Sequence, residues 1–294
     1  MALTCSMLHH NTIRLIECPR DAMQGWSEII PTQTKINYIN ALLQCGFDTI
    51  DFGSFVSAKA IPQMSDTEEV LKGLQLTGTN TRLLAIVANL RGAETAMKFD
   101  EISYLGFPFS ISPEFQRRNT NSSLEASFET VEALLNLCLK NQKKVVVYLS
   151  MGFGNPYGDP YNDEIVMHWV DKLVRSGVEI ISIADTVGLA TPAQVASTMN
   201  KLIPRYQNTE IGVHLHSGPT NWQQKLDAAL QAGCTRFDGA LRGIGGCPMA
   251  GDTLIGNMDT ELMIPYFVQL NLLKGMNMEA LGIASGMAKN IFNG

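Results

Sequence analysis

Short runs rich in Val and Ile alternate along this chain with longer stretches whose apolar residues recur at helical spacing. Eight runs read as strands: Ile13 to Glu17, Thr49 to Phe52, Leu83 to Ala88, Glu101 to Leu105, Lys144 to Ser150, Glu179 to Ala184, Ile211 to His216 and Arg236 to Ala240. Most are continuously apolar rather than alternating, as expected of a strand buried on both faces of a parallel sheet. The stretches between them predict helices. Thr34 to Gln44 puts Ile36, Ile39 and Leu43 on one side and stops at Gly46. Ser123 to Asn141 carries a stripe of Phe128, Val131, Leu134, Leu135 and Cys138. Asp163 to Arg175 sets Val166, Trp169, Val170 and Leu173 in register before Gly177. Thr191 caps and Pro192 opens a helix reaching Leu202, and Pro219 opens another that runs to Gly233.

Eight alternations of this kind over about 270 residues predict a closed (β/α)8 TIM barrel of the α/β class, with an open doubly wound sheet as the alternative. No GxGxxG joins the first strand to the first helix, which disfavours dinucleotide binding. No linker or break in composition divides the chain. One catalytic domain is expected over 1–294, with the barrel from about 12 to 258 and C-terminal helices from about 259 to 294.

Composition narrows the function. Lys and Arg number 22 against 28 Asp and Glu, a formal charge of −6. With no basic run, that excludes the footprint of a nucleic-acid binder. The longest apolar runs, such as Leu83 to Ala88, fall far short of the roughly 18 residues a membrane span needs. No secretory signal is visible at the N-terminus, and the six cysteines are scattered with no CxxC pair. Reduced thiols in a cytoplasm are the expectation.

In such a barrel the chemistry collects at the carboxyl ends of the strands. There the sequence places Glu17-Cys18-Pro19-Arg20-Asp21, Asp51-Phe52-Gly53-Ser54, Tyr148-Leu149-Ser150, Asp185-Thr186, His214-Leu215-His216 and a glycine-rich stretch containing Cys247 and Asn257. Residues i and i+2 of a strand share a face, so His214 and His216 can address one point in the barrel mouth. Asp21 is the best-placed carboxylate to join them, and Asn257 could add an amide oxygen. Two nitrogens and two oxygens suit an octahedral Mg2+ or Mn2+ better than a structural zinc. Spacing alone does not separate this reading from two unrelated histidines in a sheet. Arg20-Asp21 reads equally as a surface ion pair, Asp185-Thr186 as a helix cap, Asp51 as a post for a neighbouring loop, and Cys247 as a buried loop thiol. The glycines Gly243, Gly245 and Gly246 lack the adjoining Lys-Ser/Thr of a phosphate loop.

Taken in order, the segments resemble the hydroxymethylglutaryl-CoA lyases, within a wider superfamily of barrel metal-dependent lyases and Claisen-type synthases. The resemblance rests on PRDAMQ (Pro19 to Gln24), SFVSAKAIPQM (Ser54 to Met64), SMGFGNPYGDP (Ser150 to Pro160), ADTVGLATP (Ala184 to Pro192), VHLH (Val213 to His216), GIGGCPMA (Gly243 to Ala250) and GNMDTE (Gly256 to Glu261). It implies Asp21, His214, His216 and Asn257 as ligands of a divalent metal, Mg2+ or Mn2+. It implies an acyl-CoA thioester substrate, with Arg20 neutralising the thioester oxygen as it becomes an enolate and Cys247 taking part in proton transfer. Gln24, Ser54, Tyr148 and Thr186 join Arg20 as expected substrate contacts, and His214 or Asp51 as the expected base. The reaction implied is retro-Claisen cleavage of 3-hydroxy-3-methylglutaryl-CoA to acetoacetate and acetyl-CoA, by a homo-oligomer, a dimer. Three positions depart from the family: Asp51 stands where the lyases carry a glutamate, Ser217 replaces an aspartate and Ala22 a glycine. A related acyl-CoA lyase, a synthase or aldolase of the same superfamily acting on a 2-oxo acid, and a barrel that binds without turnover are the alternatives.

Overall fold

The computed structural model of the chain describes residues 12–246 and 255–292. Eight strands run β1 (Arg14–Glu17), β2 (Thr49–Ser54), β3 (Arg82–Ile86), β4 (Ile102–Ser110), β5 (Lys144–Ser150), β6 (Ile180–Ala184), β7 (Glu210–His214) and β8 (Arg236–Gly239). All neighbours are parallel and keep chain order, and β8 closes back on β1, so the closed barrel holds and the open sheet does not. The helices are α1 (Pro19–Gln24), α2 (Thr32–Leu43), α3 (Thr67–Lys72), α4 (Leu90–Ala96), α5 (Pro113–Thr120), α6 (Leu124–Lys140), α7 (Asp163–Arg175), α8 (Pro192–Arg205), α9 (Trp222–Gln231), α10 (Thr260–Gln269) and α11 (Met278–Ile291). Among the described residues no helix is long and apolar enough to cross a membrane.

Where local signals are strong, the elements match the pattern closely. β5 buries every residue but its first. α7 buries Val166, Trp169, Val170 and Leu173, and the Asn162 side chain caps it by accepting the Ile165 N–H. Asp163 and Glu164 lie in its first turn and Lys172 and Arg175 in its last, matching the helix dipole. Thr191 and Gln194 form a reciprocal capping box at the start of α8. The largest difference is β4. The sequence pattern ends this strand at Leu105, yet registered pairs with β5 carry it from Tyr104↔Lys144 to Ser110↔Ser150, because a strand paired on both sides continues through residues of low strand propensity such as Gly106 and Pro108. The short helices α1, α3, α4 and α5 are not evident from the apolar pattern either; α1 occupies a stretch that reads as a loop.

Large apolar side chains from the outward strand faces and the inward helix faces form one continuous layer. The lumen is divided. On the β3–β6 side it is filled by Leu84, Ile86, Tyr104, Val146, Tyr148 and Ile180. On the β7–β8 side it holds charge: Arg236, buried, donates through Nη1 to Glu210 Oε1 at 3.3 Å and lies 4.0 Å from Asp238 Oδ1. Gly212 leaves room for it, since a Cβ there would fall 2.8 Å from the Arg236 side chain. A lumen half apolar and half charged gives the mouth its polarity.

Glu17 ends β1 fully buried. Its Oε1 accepts the Leu241 backbone N–H at 2.8 Å and its Oε2 the Thr260 hydroxyl at 2.7 Å. Burial raises its pKa from 4.5 to about 8, opposed by those two hydrogen bonds and helped by Asp259 and Glu261. The folded carboxyl therefore keeps a proton that the unfolded chain releases above its ordinary value. Stability falls as pH rises from about 4.5 to about 8, by up to ~1 kcal/mol per pH unit from this group, and then levels. Glu17→Gln removes that component. Chemical unfolding of both proteins from pH 5 to 9 checks it, and the variant is expected to gain on the wild type with rising pH.

Candidate active site

The barrel mouth is assembled first by α1. Pro19 starts the helix directly after β1, with the ring fixing φ where no intrahelical N–H is needed. Arg20, Asp21 and Gln24 then fall within one turn. Arg20 Nη1 donates to Gln24 Oε1 at 2.8 Å and to Asp21 Oδ1 at 3.1 Å, and Gln24 Nε2 donates to Asp21 Oδ1 at 2.7 Å. Across the mouth, Arg20 Nη2 reaches Asp51 Oδ2 at 2.5 Å and Nε reaches the same oxygen at 3.0 Å. Asp51 sits beside a bulge in the β2–β3 pairing, a distortion common next to active sites. Burial works against the Arg20 charge, but Asp51 and Asp21 more than offset it and hold the guanidinium protonated. Burial pushes Asp51 up to about 6 despite Arg20, leaving it ionised at neutral pH.

The other half of the mouth comes from β7 and the residues just beyond it. His214 pairs in register with Asp238 of β8, and its Nδ1 lies 3.3 Å from Asp238 Oδ2. Asp238 Oδ2 also accepts the Ser182 hydroxyl at 3.1 Å. Burial disfavours a charged His214 ring, but Asp238 outweighs it and raises the pKa. His216 lies just past the strand, its ring centroid 5.4 Å from that of His214, so the two histidines do share a face. Burial, then His214 and Lys225, lower His216 to about 3 and keep it neutral. Lys225, on α9 and itself buried, donates to His216 O at 2.6 Å and to Asp185 Oδ2 at 2.9 Å, fastening the backbone that carries this ring.

One potential ligand atom from each of Asp21, His214 and His216 lies within 4.8 Å of the others. Burial opposes ionisation of Asp21, yet Arg20, His214 and the Asn257 amide together hold it below the usual carboxylate range. Asn257 joins them through an antiparallel bridge to His216; its Nδ2 donates to Asp21 Oδ2 at 2.7 Å and to Ile244 O at 2.9 Å. Among the described residues its Oδ1 is buried without a hydrogen-bond partner. A free acceptor, a carboxylate and a neutral imidazole meet the requirements of a hard divalent cation, so these residues fit one. A deeper grouping of Cys18, His214 and Asp238 fits less well, because burial pushes the Cys18 thiol up and the Arg236 cation lies beside Asp238.

The cluster faces a cavity of about 480 Å3 lined on one side by Arg20, Asp21, Gln24, Tyr148, Thr186 and both histidines, and on the other by Val56, Ile61, Ile86 and Pro108. Thr186 accepts the Met151 N–H through its hydroxyl at 2.8 Å. Among the described residues the Tyr148 hydroxyl is buried without a hydrogen-bond partner. Ser54 is not among the lining residues: its hydroxyl turns to the Val56 N–H at 3.2 Å. Asp185 accepts the Ala190 N–H as a cap-like contact and pairs with Lys225 below the mouth. Cys247 lies outside the described residues. Sequence reasoning missed Asp238 and Lys225, whose partners are far along the chain. It also missed Arg118 and Asn119 at the rim, although two adjacent arginines after a strand end were a usable signal.

The model of the HMGL-like family matches residues 13–287. The chain is 33% identical to hydroxymethylglutaryl-CoA lyase YngG of Bacillus subtilis over 263 residues, covering 90% of this chain and 87% of that protein. It superposes on the solved HMG-CoA lyase of Bacillus subtilis with a TM-score of 0.89 at 31% identity, covering 97% of this chain and 95% of that one. An HMG-CoA lyase from Acinetobacter baumannii, solved in complex with coenzyme A and 3-methylmalate, gives a TM-score of 0.87 at 27% identity over 99% of this chain and 93% of that one. By the extent of these matches, the chain belongs to the HMGL-like family.

Proposed function

We propose that this protein is a carbon–carbon lyase that cleaves 3-hydroxy-3-methylglutaryl-CoA into acetoacetate and acetyl-CoA, using Mg2+ or Mn2+. The observation that carries the reading is the convergence of Asp21, His214, His216 and Asn257 beside Arg20 at one point of the mouth. The relatives named as HMG-CoA lyases, one of them solved with coenzyme A, support the thioester.

Asp21, His214, His216 and Asn257 would hold the cation, which supplies Lewis acidity that lowers the pKa of the substrate's tertiary hydroxyl. That hydroxyl gives its proton to a base. Asp51, pushed up to about 6 by burial, is the proposed base; a His214 ring that holds the cation through one nitrogen has its other, Nδ1, turned to Asp238. The new carbonyl forms as the adjacent carbon–carbon bond breaks, and its electron pair passes to the carbon beside the thioester. Arg20 donates to the thioester oxygen as negative charge gathers there, an interaction that strengthens toward the transition state. A proton delivered to that carbon completes acetyl-CoA, and Cys247 is the proposed donor. Gln24 keeps Arg20 and Asp21 aligned; Tyr148 and Thr186 line the acyl pocket, and Ser54 supports its wall from behind. We place the chemistry in a single catalytic domain. A dimer is the proposed assembly, and the four free cysteines among the described residues, all buried, suit a cytoplasm.

The purified protein with Mg2+ or Mn2+ is expected to convert the thioester to acetoacetate, and chelation to abolish the reaction. Absence of acetoacetate with turnover of another acyl-CoA would replace the substrate and keep the chemistry. Arg20→Gln is expected to lower kcat by about 100- to 1,000-fold, the usual cost of one transition-state donor, as read in steady-state kinetics. Lys225→Met strands the Asp185 carboxylate in the interior. It should cost about 3–5 kcal/mol of stability in denaturant unfolding and weaken Mn2+ binding through the released His216 backbone.

A further inference from the structure

Glu17 has no part in the proposed reaction, yet its two oxygens reach chain segments that meet again at the site. Leu241, bonded to Oε1, begins the stretch leaving β8 through Gly243, Ile244 and Gly245. Thr260, bonded to Oε2, ends the stretch that carries Asn257. Higher up, Asn257 Nδ2 joins the same two stretches by donating to Ile244 O, and it also donates to Asp21 Oδ2 of α1. Between these levels the packing leaves no slack. A Cβ on Gly256 would lie 2.0 Å from Gly243 O, and one on Gly245 would lie 2.4 Å from Asn257 Nδ2 and 3.1 Å from Asp21 O. The Ala240 and Met258 backbones are joined at 3.0 Å just above Glu17.

From this geometry we infer that Glu17 is a positioning residue for the candidate metal site. By fastening residues 241–246 and 255–260 at their roots, it sets where the Asn257 amide meets Asp21. The inference deepens the proposed function, because it rests on Asn257 as a ligand. A carboxyl suits the task because two diverging oxygens serve two partners at once. An apolar side chain in its place leaves the buried Leu241 N–H unpaired, and the interior does not tolerate that. Since Glu17 touches neither substrate nor ligand, its effect must travel through these backbones.

The test measures Mn2+ affinity by EPR on the purified chain, together with backbone amide exchange at Leu241, Ile244 and Asn257. Glu17→Gln keeps an acceptor for Leu241 and an amide for Thr260, and is expected to bind Mn2+ within about twofold of the wild type. Glu17→Met should lose about tenfold or more in affinity, with faster exchange at all three amides, the cost of at least one buried hydrogen bond. Thr260→Val removes one partner only and gives a milder variant should Glu17→Met fail to fold; about fivefold weaker binding is expected of it. Unchanged affinity and exchange in Glu17→Met, or in Thr260→Val where the first does not fold, would overturn the inference, as would equal losses in the Gln and Met variants. Asn257→Ala separates the two readings. If it leaves Mn2+ affinity intact, the ligand assignment fails, while amide exchange in Glu17→Met still decides whether the carboxyl fixes Asn257.

Discussion

Backbone pairing from Arg14↔Arg236 to Glu17↔Gly239 joins the last strand to the first, and the mouth of the barrel takes its shape from that seam. It puts α1, which issues from β1, beside the stretch that leaves β8. Asp21 and Asn257, distant along the chain, thereby meet at 2.7 Å. Neighbouring β7 adds His214 and His216 to the same corner. An open sheet would leave β1 and β8 on separate edges, so closure itself is what assembles the four side chains.

Charge gathers at the same corner. The apolar wall from β3 to β6 excludes water on one side, so the polar groups opposite must satisfy one another. Arg20 is matched by Asp51 and Asp21, Lys225 by Asp185, and Arg236 by Glu210. Buried pairs of this kind add little net stability, because desolvation takes most of the Coulombic gain. Their contribution is geometry. Each fixes a side chain or backbone that a metal or substrate would need already in place, which is how preorganised sites avoid reorganisation during reaction.

The sequence reveals what is local. β5 and α7 appear with their observed ends because unbroken Val runs and a capped amphipathic stripe are properties of contiguous residues. The shared face of His214 and His216 is a consequence of strand geometry alone. By contrast, α1 reads as a loop because six residues give too little periodicity, and Arg20 and Asp21 cannot be distinguished from a surface pair until Asp51 is seen opposite them. Asp238 and Lys225 stay hidden for another reason. One acts through strand register and the other through a helix reaching back to a strand end, and neither relation leaves a mark in spacing. Ser54 shows the reverse: a family motif points to it, but the fold turns its hydroxyl to a backbone N–H.

Counting donors on Arg20 ties the fold to the chemistry. A guanidinium has five N–H groups. The Nε–H and one Nη2–H go to Asp51, and both Nη1 hydrogens go to Asp21 and Gln24. One Nη2–H is left. A carboxylate substrate would ask for two parallel donors, the bidentate geometry in which arginine usually binds such groups. A single remaining donor matches a single oxygen, such as that of a thioester turning into an enolate. Asp51 is central to this arrangement: being short, it binds the guanidinium from β2 through both Nε and Nη2, and in doing so reduces a general anion clamp to a one-oxygen donor.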